Sequence, residues 1–395
     1  MGPLEGIRIV DLSAIVSGPL ATTHLADQGA EVVKVEPRGI GDLLRWLGSN
    51  RGGMSGLFHL CNRGKRSITL DLRQEAGKDV LCELVKRADV LVQNFRPGVA
   101  ERMGIGWDQL RIINPNLIYV SISGFGPTGP WAHERVYDNV IQVTSGFAAA
   151  QTDQATGTPQ LIRQVVCDKI TALNVAQAIS AALFARERKQ AGGQHIQIAM
   201  LDAAIAFLWP DMSDDILLGE GIIHTPPLTS AYQMLPVADG WGTVTVISDS
   251  EFRGLCRAFD HEEIADDPRF TTMSGRIENS QALILELLGK IIPVLQTLTR
   301  DQVEERLHTN DVPGAGVRSI REVPELAQVL ENGTFVESEH PLAGRLREPR
   351  PAPRFETTPA RCGGPAPSLG QHSEEILREL GLGERIESLR AAAVI

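Results

Sequence analysis

An α/β fold with a parallel sheet is predicted for this chain, on three observations. Short apolar runs of strand type alternate with amphipathic stretches of helix type from residue 7 onward. Proline and glycine punctuate the boundaries, as at Pro19, which suits a first helical turn, and Gly29, which suits a helix end. The length of 395 residues exceeds one ordinary core, so two domains are expected.

Taken in order, the chain reads as a buried strand at 7–12, a helix at 19–28 and a second strand at 31–35. A strand at 67–72, a helix at 75–87 and strands at 89–93 and 117–121 continue the alternation. A turn-rich loop, SISGFGPTGP, follows at 121–130, then VYDNVIQVTSG with Tyr137 and Asp138. The run Gln164-Val165-Val166 reads as strand-like, and Asp168 stands where it meets a long amphipathic helix with Ile170, Leu173, Ile179 and Leu183 at helical spacing. Aspartate is a favoured N-cap, and capping is what the local pattern alone supports. A helix N-terminus also stabilises a carboxylate anion, so Asp168 is equally a candidate nucleophile.

Gly192-Gly193 precedes a strand at 195–200 and a helix at 201–218. Residues 1–218 are read as a large domain, 219–227 as a linker, 228–323 as a smaller domain and 324–395 as a further linker and return. The smaller domain holds an alternating stretch at 241–247 and helices at 251–259 and 280–292, the latter stopped by Pro293. The tail is rich in Pro and Arg from about residue 331, is expected to wrap another surface, and closes with a helix at 373–380.

A net charge of −11 argues against nucleic acid or a membrane surface as a partner. Residues 34–102 nevertheless carry thirteen Lys and Arg against eight Asp and Glu, a local +5 that would suit an anionic ligand. Five cysteines without metal-type spacing suggest neither a disulfide framework nor zinc, and fit a cytoplasmic protein. The start has the form of neither a signal peptide nor a membrane span. A strand, helix, strand unit ending in Glu36 invites a dinucleotide reading, but its first turn is SAIVSGP rather than G-x-G-x-x-G, which sets a nicotinamide enzyme aside.

Several motifs then converge: GIRIVDLSAIVSGP, LADQGAEVVKVEPRG, NRGKRSITLDL, NFRPGVAERMGIGW, NPNLIYVSISGFGPTGP, VYDNV and VVCD, with DDPRF, NDVPGAGV and PSLGQHSEEIL later. In this order and spacing the chain resembles the class III CoA-transferases, a superfamily that includes formyl-CoA and carnitine CoA-transferases and α-methylacyl-CoA racemase. The resemblance implies a Rossmann-like large domain built from both ends of the chain, a smaller inserted α+β domain, and an interlocked homodimer. It implies a CoA-transferase that moves CoA from an acyl-CoA to a small carboxylic acid, with coenzyme A as substrate and neither metal nor redox cofactor.

By the same resemblance Asp168 is the nucleophile, passing through an aspartyl anhydride and an aspartyl-CoA thioester. Water must be kept from the anhydride, so closure of the small domain or a loop is expected. Tyr137 and Ser17 are placed near the reacting centre. Arg38, Leu72, Arg73, Asn94, Phe95, Arg102 and Met103 are placed around the nucleotide and pantetheine, with Arg on phosphate and Leu72 and Met103 beside the adenine. The racemases carry His where this chain has Tyr137, a poor base with an ordinary pKa of ~10. Two departures from the oxalate-specific members stand out: their glycine-rich loop has its nearest counterpart in residues 239–242, and Ser17 replaces their Gln. A racemase or isomerase of the same fold, and a CoA-binding protein without catalysis, are the alternatives. Cys167 is read as a packed thiol, and Trp46, Phe58, Trp131 and Trp209 as core residues that could line an acyl pocket.

Overall fold

The computed structural model describes residues 2–153, 155–224, 229 and 232–395. The chain divides into two compact units, Met1–Trp209 with Gly333–Ile395, and Pro210–Asn332. The expected linker at 219–227 and the start of the smaller domain at 228 fall partly outside the described residues, at 225–228.

The first unit is built on a sheet of six parallel strands: β1 Arg8–Asp11, β2 Glu31–Glu36, β3 Arg66–Thr69, β4 Val90–Gln93, β5 Ile118–Ser123 and β6 Gln194–Ala199. Their order is β3-β2-β1-β4-β5-β6, with Val10 in register with Val33 on one side and Leu91 on the other. The chain winds outward in both directions from β1, which opens a crevice at the carboxyl ends of β1 and β4. The helices of this unit used below are α1 Ser17–Ala26, α2 Gly56–Asn62, α3 Glu75–Lys86, α4 Trp107–Ile113, α5 Asp138–Thr144, α6 Val166–Lys189 and α7 Met200–Leu208. In parallel strand–helix–strand connections the N-terminus of each helix lies at the carboxyl edge of the sheet, the edge where the crevice opens.

Apolar strand residues explain the burial: on one face of the sheet Val10, Val33, Ile68 and Leu91 pack with Val80, Leu81 and Leu84 of α3. The C-terminal helices Ser373–Glu379 and Ile386–Ala391 complete the same core through Ile376, Leu377, Leu389 and Val394. The tail therefore packs on its own unit. It enters through an antiparallel hairpin, Phe335–His340 with Gly344–Pro349, whose Glu348 meets Arg63 and His59 in the interior.

The turn after β1 is held at almost every polar backbone atom. Asp11 accepts from the Ser13 amide at 2.9 Å and from the Ser13 hydroxyl. Lys34 donates to the Ser13 carbonyl at 2.9 Å and pairs with Asp42 at 2.9 Å. Asn94 both accepts from the Ala14 amide, at 3.0 Å, and donates to its carbonyl, at 2.8 Å. Asp42 accepts from the Ile15 amide at 3.0 Å, and Ile15 has φ of 69°. A β-branched residue in the left-handed region costs about 1–3 kcal/mol and persists only where its surroundings over-determine it. At Gly18 a Cβ would lie 2.2 Å from the Ser13 hydroxyl, so only glycine lets α1 start this close to the turn.

The second unit has a three-stranded antiparallel sheet, Gly314–Gly316 beside Gly240–Val244 beside Leu235–Val237, packed with helices Asp249–Ala258, Ser280–Leu295 and Arg300–Thr309. Asp239 sits in the turn between two of these strands, residues 240–242 open the second of them, and Asp239 accepts from the Arg300 amide at 2.7 Å.

Several local expectations need correction. Pro293 does not stop its helix, which runs to Leu295: proline removes one hydrogen bond, and two residues remain to the helix end. The helix expected at 201–218 ends at Leu208, because Pro210 turns the chain into the short 3-10 segment Trp209–Asp211. Residues 164–166 form no strand, and Leu173 is 59% exposed, off the stripe that buries Ile170, Ile179 and Leu183.

Arg63 tests how the tail is tied down. Its guanidinium pairs with Asp27 at 2.7 Å and Glu348 at 2.9 Å, and all three side chains are buried. Arg63→Ala leaves buried Asp27 without its cation and Glu348 with only His59 and Ser338, and should cost about 3–5 kcal/mol in chemical denaturation. Limited proteolysis of the variant should cut first within 350–372.

Candidate active site

Asp168 lies in the first turn of α6, two residues inside the helix start, and only 8% of it is exposed. It is not the N-cap. Val165 holds that position and brings no side-chain hydrogen bond. A neighbouring helix supplies the missing acceptor: the Asp168 amide donates to Asp138 Oδ2 at 3.0 Å, from the first residue of α5. From the other side, α1 packs against α6 and brings its first residue, Ser17, beside the Asp168 carboxylate, where it favours the ionised form.

These surroundings set the charge. Burial, then Asp138, push the Asp168 carboxyl from an ordinary 3.8 up to about 6, while the two Ser17 hydrogen bonds pull the other way. Asp168 still ionises below neutral pH, but desolvation and a second carboxylate make it hold its proton more tightly than an ordinary aspartate. Cys167, fully buried, is pushed to about 12 by burial, Asp138 and Asp168, which leaves it an inert thiol at neutral pH.

Tyr137 is the N-cap of α5, and its carbonyl accepts from the Ile141 amide at 3.3 Å. Its side chain is 65% exposed, so it is not a buried core aromatic, and the group that accepts from the Asp168 amide is another. That group is its neighbour Asp138, which sequence reasoning passed over. The available signal was an acid at the start of a helix with Gln142 four residues on, opposite a helix whose own cap position is a valine.

The residues expected around CoA follow three successive strand ends. Arg38 comes after β2, Leu72 and Arg73 after β3, and Asn94 and Phe95 after β4. Leu72, Phe95 and Met103 are partly buried against the main core. Arg38 is exposed and donates to the Ala393 carbonyl at 2.8 Å, a neutral partner. Arg102 is exposed and folds over Gly98, where a Cβ would lie 2.9 Å from its guanidinium. Two members of the set are committed elsewhere. Arg73 is chelated by Asp71 at 2.8 and 3.0 Å, and both polar atoms of Asn94 hold the Ala14 backbone. Of the aromatic candidates, Phe58 is fully buried beneath the Arg45 guanidinium, 3.8 Å from the ring centroid, whereas Trp46 and Trp131 are exposed.

Among the described residues no group of three or more His, Cys, Asp or Glu stands where it could hold a metal ion. No helix among them is long and apolar enough to cross a membrane.

Fold and site together define a Rossmann-like α/β protein with a buried carboxylate in the first turn of α6 and no G-x-G-x-x-G turn after β1. The profile of CoA-transferase family III matches residues 4–373, so the chain belongs to that family and is an enzyme of the CoA-transferase class, acting on CoA thioesters. It is 34% identical to a succinate–glutarate CoA-transferase of Agrobacterium fabrum over 97% of either chain. It is 34% identical to an acetyl-CoA:oxalate CoA-transferase of Acetobacter aceti over 85% of this chain and 86% of that one. A solved CAIB/BAIF family protein from Brucella suis superposes with a TM-score of 0.81 at 32% identity, over 96% of this chain and 99% of that one.

The raised proton affinity of Asp168 has a stability consequence with a definite sign. The folded protein binds this proton more tightly than the unfolded chain, so folding loses stability as pH rises from 3.8 to about 6. A shift of this size is worth ~3 kcal/mol at neutral pH. Asp168→Asn, which carries no charge, should therefore raise the melting temperature at pH 7.5, and the gain should shrink toward zero near pH 4. Thermal melts across that range check it.

Proposed function

We propose that this enzyme moves CoA from an acyl-CoA thioester to a carboxylic acid with Asp168 as the covalent carrier. The single observation behind this reading is the setting of Asp168: a buried carboxylate in the first turn of α6, beside Ser17 at the start of α1. A carboxylate short of solvent is a stronger nucleophile than a hydrated one, and exchange between thioester and carboxylate needs only an anhydride.

In this scheme one Asp168 oxygen attacks the donor carbonyl, giving a mixed anhydride and the CoA thiolate. The thiolate attacks the aspartyl carbonyl, giving the aspartyl-CoA thioester and releasing the donor acid with that oxygen. The acceptor carboxylate then attacks the thioester, forming a second anhydride and freeing the thiolate again. Attack of the thiolate on the acceptor carbonyl yields the new acyl-CoA and restores the aspartate. Each step breaks one acyl bond and makes another, and no proton is lost or gained. Ser17 steadies the carboxylate. Tyr137, at the crevice side of α5, contacts substrate rather than serving as a base. An α-proton exchange reaction needs a second free base beside Asp168, and both oxygens of Asp138 already accept hydrogen bonds.

Arg38 and Arg102 take the CoA phosphates in this reading, Leu72 and Met103 flank the adenine, and Phe95 and Asn94 line the pantetheine arm. Arg73 joins once it leaves Asp71. Small carboxylic acids, including the succinate, glutarate and oxalate named for the relatives, are the first acceptors to try. The smaller unit is an insertion in the larger, and two chains interlock as a homodimer. The apolar side chains of Leu173, Phe184 and Phe207, exposed on α6 and α7 of the first unit, suit a covered face. Five free cysteines suit the cytoplasm.

A panel of acyl-CoA donors crossed with carboxylic acids, read by mass spectrometry, should show CoA transfer for at least one pair. Without acceptor, borohydride should inactivate the donor-treated enzyme. Deuterium uptake at the α-carbon of a 2-methylacyl-CoA with no acceptor present would instead establish an isomerase. Arg38→Ala and Arg102→Ala should each raise KM for the donor with kcat less affected, the pattern of lost ground-state binding. Unchanged KM in both would remove them from the site.

A further inference from the structure

The first turn of α6 is organised from outside its own sequence. In a helix of 24 residues the N-cap Val165 offers no side-chain acceptor, so the early amides need other partners. The Val166 amide finds the Gln164 carbonyl at 2.8 Å, and the Asp168 amide finds Asp138 Oδ2 at 3.0 Å. The second Asp138 oxygen accepts from Gln142 Nε2 at 2.6 Å. That same amide nitrogen donates to the Ile162 and Gln164 carbonyls, each at 3.1 Å, while Gln142 Oε1 accepts from the Ile162 amide at 2.9 Å. Two residues one turn apart on α5 thus dock the segment leading into α6 and the turn that bears Asp168. Asp138, Gln142 and Asp168 are all buried.

We propose that Asp138 is a positioning residue for the transfer reaction: it caps α6 from the neighbouring helix, fixes the direction in which the Asp168 carboxyl faces, and sets a second negative charge against it. This rests on the reading of Asp168 as the nucleophile. The two effects act on the same step. A cap on the Asp168 amide orients its Cα–Cβ bond, and misplacing a reacting group by an ångström can cost on the order of a hundredfold in rate. The neighbouring charge opposes ionised Asp168 but not its covalent forms. When the carboxylate oxygen bonds to the acyl carbon the negative charge passes to the CoA thiolate, so repulsion from Asp138 is relieved as the intermediate forms.

The groups facing Asp168 are few. Asp138 comes from α5, Ser17 from α1 and Cys61 from α2, with Cys167 and Lys169 beside it on α6 itself. The other titratable groups on elements packed against α6 are His24 on α1, Tyr119 on β5, His195 on β6 and Asp202 on α7, and none of them acts on the proton affinity of Asp168. Asp138 is the charged neighbour that does.

Two variants separate charge from position. Asp138→Asn removes the charge and keeps an acceptor for the Asp168 amide, whereas Asp138→Glu keeps the charge and displaces the acceptor by one methylene. The first readout is the titration of the Asp168 carboxyl carbon by NMR in protein labelled with carbon-13 aspartate. The second is the rate of adduct formation on Asp168 in a single turnover with an acyl-CoA donor. The Asn variant should titrate about one pH unit lower than the parent, and the Glu variant close to the parent. Both should form the adduct roughly tenfold more slowly or worse, with KM for the donor little changed. If either variant folds and shows parental titration and parental rate, the proposal is overturned. If the parent itself forms no adduct while the Asn variant still shifts the titration, the transfer chemistry assigned to Asp168 fails and the hold of Asp138 on it stands.

Discussion

Everything at the crevice depends on one buried ion cluster. Asp11, at the end of β1, pairs with Lys65 at 2.9 Å, and Lys34, from β2, pairs with Asp42 at 2.9 Å; all four side chains are almost wholly enclosed. Burial alone would raise Asp11, yet Lys65 and Lys34 bring it to about 2. Burial pulls Lys65 down to about 8 against the attraction of Asp11, while Asp42 and Asp11 outweigh burial at Lys34 and raise it. Such clusters contribute little net stability, but removing one member strands the others. What this one supplies is position. Three of its members bind the backbone of Ser13 and Ile15 and the fourth, Lys65, that of Pro19, so the strained turn and the start of α1 at Ser17 are fixed to the sheet.

With Ser17 fixed, Asp168 is held between two helices that come from distant parts of the chain. One side gives it hydrogen bonds and the other a second negative charge. The second charge would not be tolerated at a site selected for stability alone. The cluster near β1 is fully matched in charge, whereas the two carboxylates at α6 are not, and that contrast separates framework from working group. The framework reaches the tail as well. Glu36 and Arg45 pair at 2.7 Å, and Arg45 donates to the Pro367 carbonyl at 3.0 Å, so the returning segment is bound to the loop that supplies Asp42.

Periodicity made the sheet legible in the sequence, because strands buried on both faces are continuous apolar runs, and apart from the strand-like run at 164–166 the expected strands of the large domain lie within a few residues of observed ones. Asp168 was legible as a position but not as an environment. Its neighbours Ser17 and Asp138 lie 151 and 30 residues away, and no local pattern reports that separation. The cap was misplaced for a related reason: a long-range carboxylate took over a task that propensity assigns to the nearest polar residue. Asn94 and Arg73 show a different limit. Their motif positions point toward a ligand, yet hydrogen bonds to Ala14 and Asp71 occupy them, and occupancy is a property of folded geometry. Helix ends near Pro210 and Pro293 went opposite ways, since proline removes one donor at either site but its cost depends on how much helix remains beyond it.

The central claim is that an Asp168 oxygen enters the reaction covalently. It is tested most directly with an acceptor acid labelled with oxygen-18 on both carboxyl oxygens, in a single turnover against enzyme preloaded with CoA from an unlabelled donor. The scheme leaves one acceptor oxygen on the aspartate, so the peptide that contains Cys167 and Asp168 should gain two mass units, about one oxygen-18 per turnover. Label absent from that peptide while labelled acyl-CoA accumulates would contradict the account. Label on any other residue would do the same.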